Sequence, residues 1–257
     1  METKYYEELF EKFIKIANMG YVKGINNFTG GAGLTFEKLL GKEVDNMFFP
    51  DYYGIEIKTS LRYSHFPLTL FSLAFDGPNF FEMNALQEKY GVVDYQFKDK
   101  KVLYCNLVVN TYVKVSDKYF FKLFIDYKKQ RIAINIYDLK YKLLEEASYI
   151  NFETLRQRVE IKLNKLAFIW ASKKVIDSTH FFRYYKIIFY TLKNFDIFLK
   201  LLEKGIIFTE ISTCITRSGA YSGKQRNKNM IFKIRKENLE LLFDKDKEYD
   251  NDKQSNY

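Results

Sequence analysis

The spacing of apolar residues along the chain predicts a fold in which helices and strands are mixed. Helical spacing runs through residues 4–18 and 152–163, and again from Leu192 to Gly205 at the end of an aromatic segment that begins at Phe181. Short apolar runs typical of strands cover residues 67–75, 102–115, 119–127, 131–138, 166–171, 208–215 and 230–234. We therefore expect an α/β (α+β) fold with one sizeable core.

The stretch from Phe28 to Ser60 has the most informative pattern. A glycine-rich turn over residues 30–33 leads into a short helix that carries Glu37 and stops at Gly41. Thr35 is the residue we expect to cap this helix. Taken alone, Glu37 is more simply explained as a solvated helix residue, so its role depends on what the helix packs against.

Pro50-Asp51 comes next in this stretch, followed by a Tyr-Tyr-Gly turn and the run Ile55 to Lys58. The run alternates apolar and charged residues, which predicts a strand with Glu56 and Lys58 on one face. A hairpin at the turn would bring Asp51 back beside Glu56. Two carboxylates this close repel each other unless a cation lies between them, and their hard oxygens favour Mg²⁺. Lys58 would then orient or deprotonate a water molecule, or stabilise charge on a phosphate.

A Glu-x-Lys alternation is by itself more often a pair of solvated charges than a catalytic site. Together with the Pro-Asp, the glycine-rich turn and the helix glutamate, it has the pattern of the PD-(D/E)XK nucleases. The segments G-G-A-G-L-T-F-E-K-L-L-G and P-D-Y-Y-G-I-E-I-K-T-S, with Leu68-Thr69-Leu70-Phe71 after them, resemble the MvaI/BcnI type II restriction endonucleases. More distantly, they resemble the mismatch-repair nicking enzyme MutH. The helix at 152–163 and the strand after it extend the resemblance over most of the chain.

The resemblance implies a PD-(D/E)XK nuclease core with a mixed central sheet flanked by helices, and a C-terminal lobe that recognises DNA. We place the core at residues 1–171 and the lobe at 172–245. The polar residues 246–257 are expected to form a disordered tail.

The same resemblance assigns roles within the active site. Magnesium is the implied cofactor, held by Asp51, Glu56 and the backbone carbonyl of Ile57. Lys58 is implied to position or activate the attacking water. Glu37 is implied to support the site or a second ion.

The segment from Ile215 to Asn229 predicts a hairpin with a long basic loop between two strands. Arginine can form two hydrogen bonds to guanine, asparagine and glutamine do the same for adenine, and lysine contacts phosphate. A solvated basic loop is the alternative on composition alone. R-S-G-A-Y-S-G-K resembles an element of the family, although the loop is shorter here and Ile215 replaces an acidic residue of a relative. The expected DNA-contacting residues are Arg217, Tyr221, Lys224, Arg226, Lys228, Thr29 and Gly30, with Arg217 expected to read one guanine.

Composition narrows the classes of protein that fit. A net charge of +9 and a pI near 9.2 suit a polyanionic partner, although lysine-rich composition also follows from AT-rich coding. Two cysteines and two distant histidines exclude a disulfide framework and a zinc site, which fits a reducing compartment. We find no apolar run near the roughly 18 residues of a membrane span and no signal-peptide pattern, so we expect a cytoplasmic protein.

Three functions fit these observations. The first is a Mg²⁺-dependent type II restriction endonuclease that cuts double-stranded DNA at a short specific sequence. The resemblance implies a monomer that nicks one strand at a time, encoded with a cognate methyltransferase that is not a physical partner. The second is a MutH-like repair nicking endonuclease, and the third is a catalytically inactive, sequence-specific DNA-binding protein. Cleavage of a plasmid with Mg²⁺ or with EDTA separates them.

Overall fold

The structure is a computed structural model that describes residues 2–28, 30–41, 49–78 and 82–254. Its helices are α1 Glu2–Asn18, α2 Gly31–Leu39, α3 Glu82–Tyr90, α4 Phe152–Leu163, α5 Phe195–Glu203, α6 Leu239–Leu242 and α7 Asn251–Gln254. Its strands are β1 Val22–Lys23, β2 Ile55–Leu61, β3 Leu68–Leu73, β4 Val92–Val93, β5 Lys101–Val102, β6 Tyr104–Leu107, β7 Val113–Lys114, β8 Phe120–Asp126, β9 Arg131–Tyr137, β10 Leu143–Asn151, β11 Lys165–Ile176, β12 Thr179–Leu192, β13 Ile207–Ile215, β14 Gln225–Ile234 and β15 Phe243–Asp250.

A mixed sheet carries the stretch that the sequence singles out. Its strands follow the order β1-β12-β11-β2, and β15 also pairs with β12. β2 runs parallel to β11, and the other pairings are antiparallel. The predicted mixed sheet and α+β class are therefore confirmed, and β2 forms an outer strand of this sheet.

Helices α1 and α2 pack on this sheet through a continuous apolar core. Phe13 and Phe36 are fully buried there, together with Ile55 and Ile57 of β2. Each such side chain contributes about 2 kcal/mol by its burial. Tyr184 of β12 donates a 2.6 Å hydrogen bond to the carbonyl of Ala32, which also fixes α2 against the sheet. The two isoleucines of β2 thus face the core, as the alternation predicts.

A second set of strands forms two four-stranded sheets in the orders β10-β9-β8-β7 and β3-β14-β13-β6, with β4 and β5 paired separately. Helix α5 packs beside the second of these sheets. Its Phe198 ring lies 5.9 Å from the rings of both Phe71 on β3 and Phe232 on β14. This core supports the hairpin of β13 and β14, from which the basic loop extends.

The chain divides into two compact units built from several segments each. The first comprises residues 1–66, 160–193 and 243–257, and the second comprises 67–159 and 194–242. This differs from the expected single boundary after Ala171. That position lies inside β11, which continues to Ile176 and forms a long hairpin with β12, so the residues after 171 remain in the first unit.

The expectation of a disordered tail from residue 246 is wrong over residues 246–254. β15 pairs with β12 from Phe243 to Asp250, and α7 follows. Polar composition predicts a solvated segment, but backbone pairing does not require apolar side chains. Here Tyr249 packs edge-on against the rings of Phe10 and Phe13, while Lys186 bonds to Glu248 at 2.5 Å.

Strand β12 is an element that the apolar spacing did not predict. Its residues belong to the aromatic segment from Phe181, where only the portion from Leu192 has helical spacing. Leu192 ends β12, and the rest of that portion forms α5 from Phe195, with Asn194 as its cap accepting from the backbone N–H of Ile197. Throughout the described ranges, the helices all fall short of the length and apolarity that crossing a membrane requires.

Candidate active site and DNA-reading loop

A tight turn between Tyr52 and Ile55 builds the candidate active site. The two residues exchange backbone hydrogen bonds of 2.9 and 2.8 Å. Tyr53 and Gly54 between them both have positive φ, 44° and 89°, as in the two-residue turns that match the twist of paired strands. The predicted hairpin is therefore confirmed, and it returns the chain so that Asp51 lies opposite Glu56.

Asp51 is held on the outer edge of β2. Its Oδ2 accepts a 2.9 Å hydrogen bond from the backbone N–H of Ile57. In an extended strand the N–H and C=O of one residue point to the same side, so the Ile57 carbonyl shares this edge with Asp51. Two of the three oxygen donors implied by the family resemblance, Asp51 and the Ile57 carbonyl, thus lie on one edge of β2.

Glu56 is the buried centre of the site, with 1% of its surface exposed. Its Oε1 lies 2.6 Å from Nζ of Lys58, and its Oε2 lies 2.7 Å from Nζ of Lys162. The same Lys162 ammonium is 4.0 Å from Oδ1 of Asp51 and donates to the carbonyl of Phe49 at 2.7 Å. The carboxylates of Asp51 and Glu56 therefore converge on one cationic position, which Lys162 fills.

Burial raises the pKa of Glu56 above its ordinary value. The positive charges of Lys58 and Lys162 oppose this effect, while the negative charge of Asp51 adds to it. Burial is the largest cause, so the two ammonium groups only partly compensate the ionised carboxylate. A cation of higher charge would compensate it further.

The donor set fits a hard divalent ion. Carboxylate and carbonyl oxygens are the ligands that Mg²⁺ prefers, and one or two carboxylates with several waters usually suffice. In the described ranges, no group of three or more His, Cys, Asp or Glu side chains is placed to hold a metal. The fit therefore rests on Asp51 and Glu56 with the Ile57 carbonyl, and Glu37 adds no third ligand in this arrangement.

Helical spacing puts Glu37 on the same face of α2 as Gly33, four residues earlier. At Gly33, one turn before Glu37, an added Cβ would lie 4.0 Å from Thr59 Cβ on that strand. The helix starts earlier than expected, with Gly30 as its N-cap at φ 91°, so the expectation that Thr35 caps it is wrong. Thr35 is instead buried inside the helix, where its hydroxyl donates to the Gly31 carbonyl at 2.7 Å. Thr29 lies outside the described residues.

The basic loop is shorter than the sequence suggests, because β14 begins at Gln225. The loop itself covers residues 216–224 and is closed by hydrogen bonds between Thr216 and Lys224 and between Gly223 and Thr216. Exposed side chains of the loop and of β14 include Tyr221, Lys224, Arg226 and Lys228. These four expected DNA contacts thus remain accessible to a ligand.

Arg217, also expected to contact DNA, is held by the protein itself. Its Nη1 and Nη2 donate to Oδ1 and Oδ2 of Asp94 at 2.6 and 2.7 Å. The guanidinium also lies 4.4 Å from the ring centroid of Tyr95. These contacts tie the basic loop to the turn between β4 and β5.

Lys162 and Asp94 are the two site residues whose roles sequence reasoning missed. Lys162 ends a predicted helix just before β11, and parallel pairing of β11 with β2 brings that junction next to Glu56. The place of Lys162, just before a strand that pairs in parallel with β2, was thus a signal that could have identified it. Asp94 had no such signal, because it lies in a turn 123 positions from Arg217.

Comparisons with known proteins bear on the family and the fold of the chain. The model of the MvaI/BcnI restriction endonuclease family matches residues 10–243. Among solved structures, the restriction endonuclease MvaI bound to its cognate DNA substrate matches with a TM-score of 0.88 and 26% identity, covering 94% of this chain and 97% of that one. MvaI in the absence of DNA matches with a TM-score of 0.58 and 26% identity, covering 94% and 96%. No curated protein sequence matches the chain.

Proposed function

Because the chain belongs to the MvaI/BcnI restriction endonuclease family and is a site-specific nuclease, we propose that it is a Mg²⁺-dependent type II enzyme that hydrolyses double-stranded DNA at a short sequence. The observation that carries this proposal is the convergence of Asp51 and Glu56 on one cationic position beside Lys58. The MvaI structure with cognate DNA supports the choice of substrate.

The chemistry follows from the arrangement of the side chains. Asp51, Glu56 and the Ile57 carbonyl would hold the ion, which when bound supplies charge stabilisation and lowers the pKa of a water molecule. Lys58 reaches the site from the same face of β2 and is 23% exposed, so it can meet both Glu56 and a phosphate oxygen. It would orient the attacking water and stabilise negative charge as the bond from phosphorus to the leaving sugar oxygen breaks. Glu37 would support the site through water from α2.

The basic loop and the start of β14 would supply sequence recognition. Lys224, Arg226 and Lys228 are exposed and suit phosphate contacts, which set affinity without reading bases. Tyr221 is 63% exposed and presents a ring for packing against the sugar-phosphate backbone. Gly30, the N-cap of α2, would approach the DNA near the scissile phosphate. Thr29 is proposed as a DNA contact on the family resemblance alone.

We further propose that the enzyme works as a monomer, nicks the two strands in turn and acts in the cytoplasm. A methyltransferase of the same specificity would protect host DNA without binding this chain. These finer points rest on the family relationship.

Plasmid digestion tests the proposal directly. In Mg²⁺ we expect open circles to appear first and discrete linear fragments afterwards, and in EDTA we expect neither. Sequencing of the fragment ends gives the recognition sequence and the cleavage position. The variant Asp51→Asn should bind the same sequence in a gel shift without cutting it.

Other outcomes would point elsewhere. Open circles that never become linear, or cutting that needs a further protein, would indicate a repair nicking enzyme. A gel shift without any strand break would indicate a DNA-binding protein. Cutting that persists in Asp51→Asn or in EDTA would refute the assigned metal site.

A further inference from the structure

Asp94 is a fully buried carboxylate in a turn at the protein surface. Only 1% of Asp94 is exposed, although its neighbours in the chain, Val93 and Tyr95, are both exposed. Its Oδ1 accepts from the backbone N–H groups of Gln96 and Phe97, both at 2.9 Å, and from Arg217. Its Oδ2 accepts the second bond from Arg217. Four donors therefore satisfy this one side chain.

Arg217 is only partly used by this pairing. A guanidinium carries five N–H donors, and the two bonds to Asp94 occupy one hydrogen on each terminal nitrogen. The Arg217 side chain is 38% exposed. Within the described part of the chain, its guanidinium has no hydrogen-bond partner other than Asp94. The Nε–H and one Nη–H on the adjacent side form a second fork of donors. That fork has the spacing that matches the O6 and N7 acceptors of guanine.

The surroundings keep the guanidinium plane in a fixed orientation. The Tyr95 ring packs 4.4 Å from it. On the far side of the loop, Lys100 donates to the carbonyl of Gly223 at 2.5 Å, and Phe97 lies against the same glycine. The turn from Asp94 to Lys100 therefore holds the loop at two places, once through Arg217 and once through Gly223.

We propose that Asp94 is a positioning residue for sequence recognition: it fixes Arg217 so that the second donor fork of the guanidinium points at the edge of one base. This inference rests on the proposed function and adds to it the residue that sets the geometry of reading. A bound arginine loses little conformational freedom when it meets its base, so pre-orientation raises both affinity and discrimination. Tyr95, which is 72% exposed, would line the same edge of the reading surface.

If the ion pair between Asp94 and Arg217 is merely structural, a different pattern of DNA binding is expected on its loss. If the pair only held the loop in place, its loss would weaken all DNA binding alike, whatever the sequence. If Asp94 aims Arg217 at one base pair, its loss must relax discrimination at that base pair and leave the other positions unchanged. The two cases therefore differ in the pattern across sequences and not only in the size of the loss.

The test measures binding by gel shift, without divalent ions, on the cleavage sequence and on duplexes with each base pair substituted in turn. The proteins are the wild type, Asp94→Ala, Arg217→Ala and the double variant. We expect Arg217→Ala and Asp94→Ala each to lose about 10- to 100-fold in affinity for the cognate duplex and to lose discrimination at the same single base pair. The double variant should be no weaker than Arg217→Ala.

Asp126→Ala is the matched control. Asp126 accepts from the backbone N–H groups of Lys128 and Lys129 at 3.1 Å each, so it closes a turn as Asp94 does but carries no arginine. Its substitution should leave the discrimination profile unchanged. Asp94→Asn, which keeps one acceptor oxygen for the turn, provides a folded alternative should Asp94→Ala melt early, and it should show the same single-position relaxation.

An unchanged profile in both Asp94 variants, or an equal loss on every duplex, would overturn this inference while leaving the nuclease proposal intact. A wild type that cuts one sequence establishes the proposed function separately. A wild type that neither cuts nor prefers any sequence would overturn both.

Discussion

The clusters around Glu56 and Asp94 both contain a buried carboxylate next to positive charge, but the cations and their effects on the carboxylate differ. Each cluster contains a carboxylate with 1% exposure. Glu56 faces two lysine ammonium groups, and burial still raises its pKa. Asp94 receives a two-pronged bond from Arg217, which lowers its pKa well below the ordinary range, with the amides of Phe97 and Gln96 acting in the same direction.

The difference teaches what each cluster is built to do. An ammonium is a compact charge on a flexible stem, so it can be replaced by another cation without rebuilding the backbone. A guanidinium in a two-pronged bond is fixed in direction as well as position. The Glu56 cluster thus keeps an ionised carboxylate that a stronger cation would stabilise, whereas the Asp94 cluster is already satisfied and rigid.

Among the substitutions that test this contrast between the two clusters, the one at Lys58 is expected to have the largest effect. Lys58→Ala removes the partly exposed ammonium beside Glu56 and, under the proposed mechanism, should lower the cleavage rate by about 10²- to 10³-fold, as for other pre-organised charge stabilisers. Affinity for the cognate duplex should change little, because one charge is small beside the whole footprint. Single-turnover cleavage and gel shifts measure the two quantities. Lys38→Ala, an exposed lysine on α2, serves as the control and should cut normally.

Lys162→Met should have the next largest effect, on stability without metal. The change leaves buried Glu56 with one ammonium instead of two, and loss of a buried partner costs about 3 kcal/mol in the free energy of unfolding. Urea denaturation in EDTA measures this loss. Mg²⁺ should then raise the melting temperature of the variant more than that of the wild type, because no ammonium competes for the position.

Lys165→Met is the matched control for Lys162. Its Nζ donates to the hydroxyl of Thr191 at 2.7 Å and lies 5.5 Å from the ring centroid of Tyr6, so its loss removes one hydrogen bond and one cation–π contact and should cost about 1–2 kcal/mol. Equal destabilisation of the two variants, or an equal response to Mg²⁺, would show that Lys162 does not occupy the ion position.

The contribution of the Asp94 cluster to stability should depend on pH. Because the folded-state pKa of Asp94 lies below its ordinary 3.8, its ionised form adds stability that is present above that value and lost as the pH falls through the folded pKa. Asp94→Asn lacks this contribution at every pH. The gap in urea midpoint between wild type and Asp94→Asn should therefore be largest near neutrality and narrow below about pH 4. A gap that stays constant down to pH 3 would contradict the assigned ionisation.

The smallest effect is expected at Lys228, which is exposed on β14. Lys228→Ala should weaken cognate and non-cognate binding alike by a few-fold, and should reduce the slope of log affinity against log salt by about 0.9. Salt titrations of binding measure the slope. Lys118→Ala, in an exposed turn outside the basic loop, should leave it unchanged. A change confined to the cognate duplex would instead make Lys228 a base reader.

The sequence was sufficient for the local half of the candidate site. Asp51, Glu56 and Lys58 lie within one turn and one strand, so alternation and turn chemistry determine how they meet. Two partners were missed: that of Glu56 on α4 and that of Arg217 in the turn between β4 and β5. Both are tertiary contacts. The one to Arg217 spans 123 positions, so it leaves no periodic pattern in the sequence. β15 was missed for a related reason, since its pairing with β12 depends on backbone groups that every residue carries.

The hydrogen bond from Ile57 to Asp51 has a consequence for how this protein remains soluble. β2 ends its sheet, and the free amides of an outer strand are where a second polypeptide can add and start an aggregate. The aspartate occupies one of these amides and places a negative charge directly in the path of an incoming chain. We therefore expect Asp51 variants to precipitate at lower concentrations than Lys58 variants, although both changes should impair cleavage.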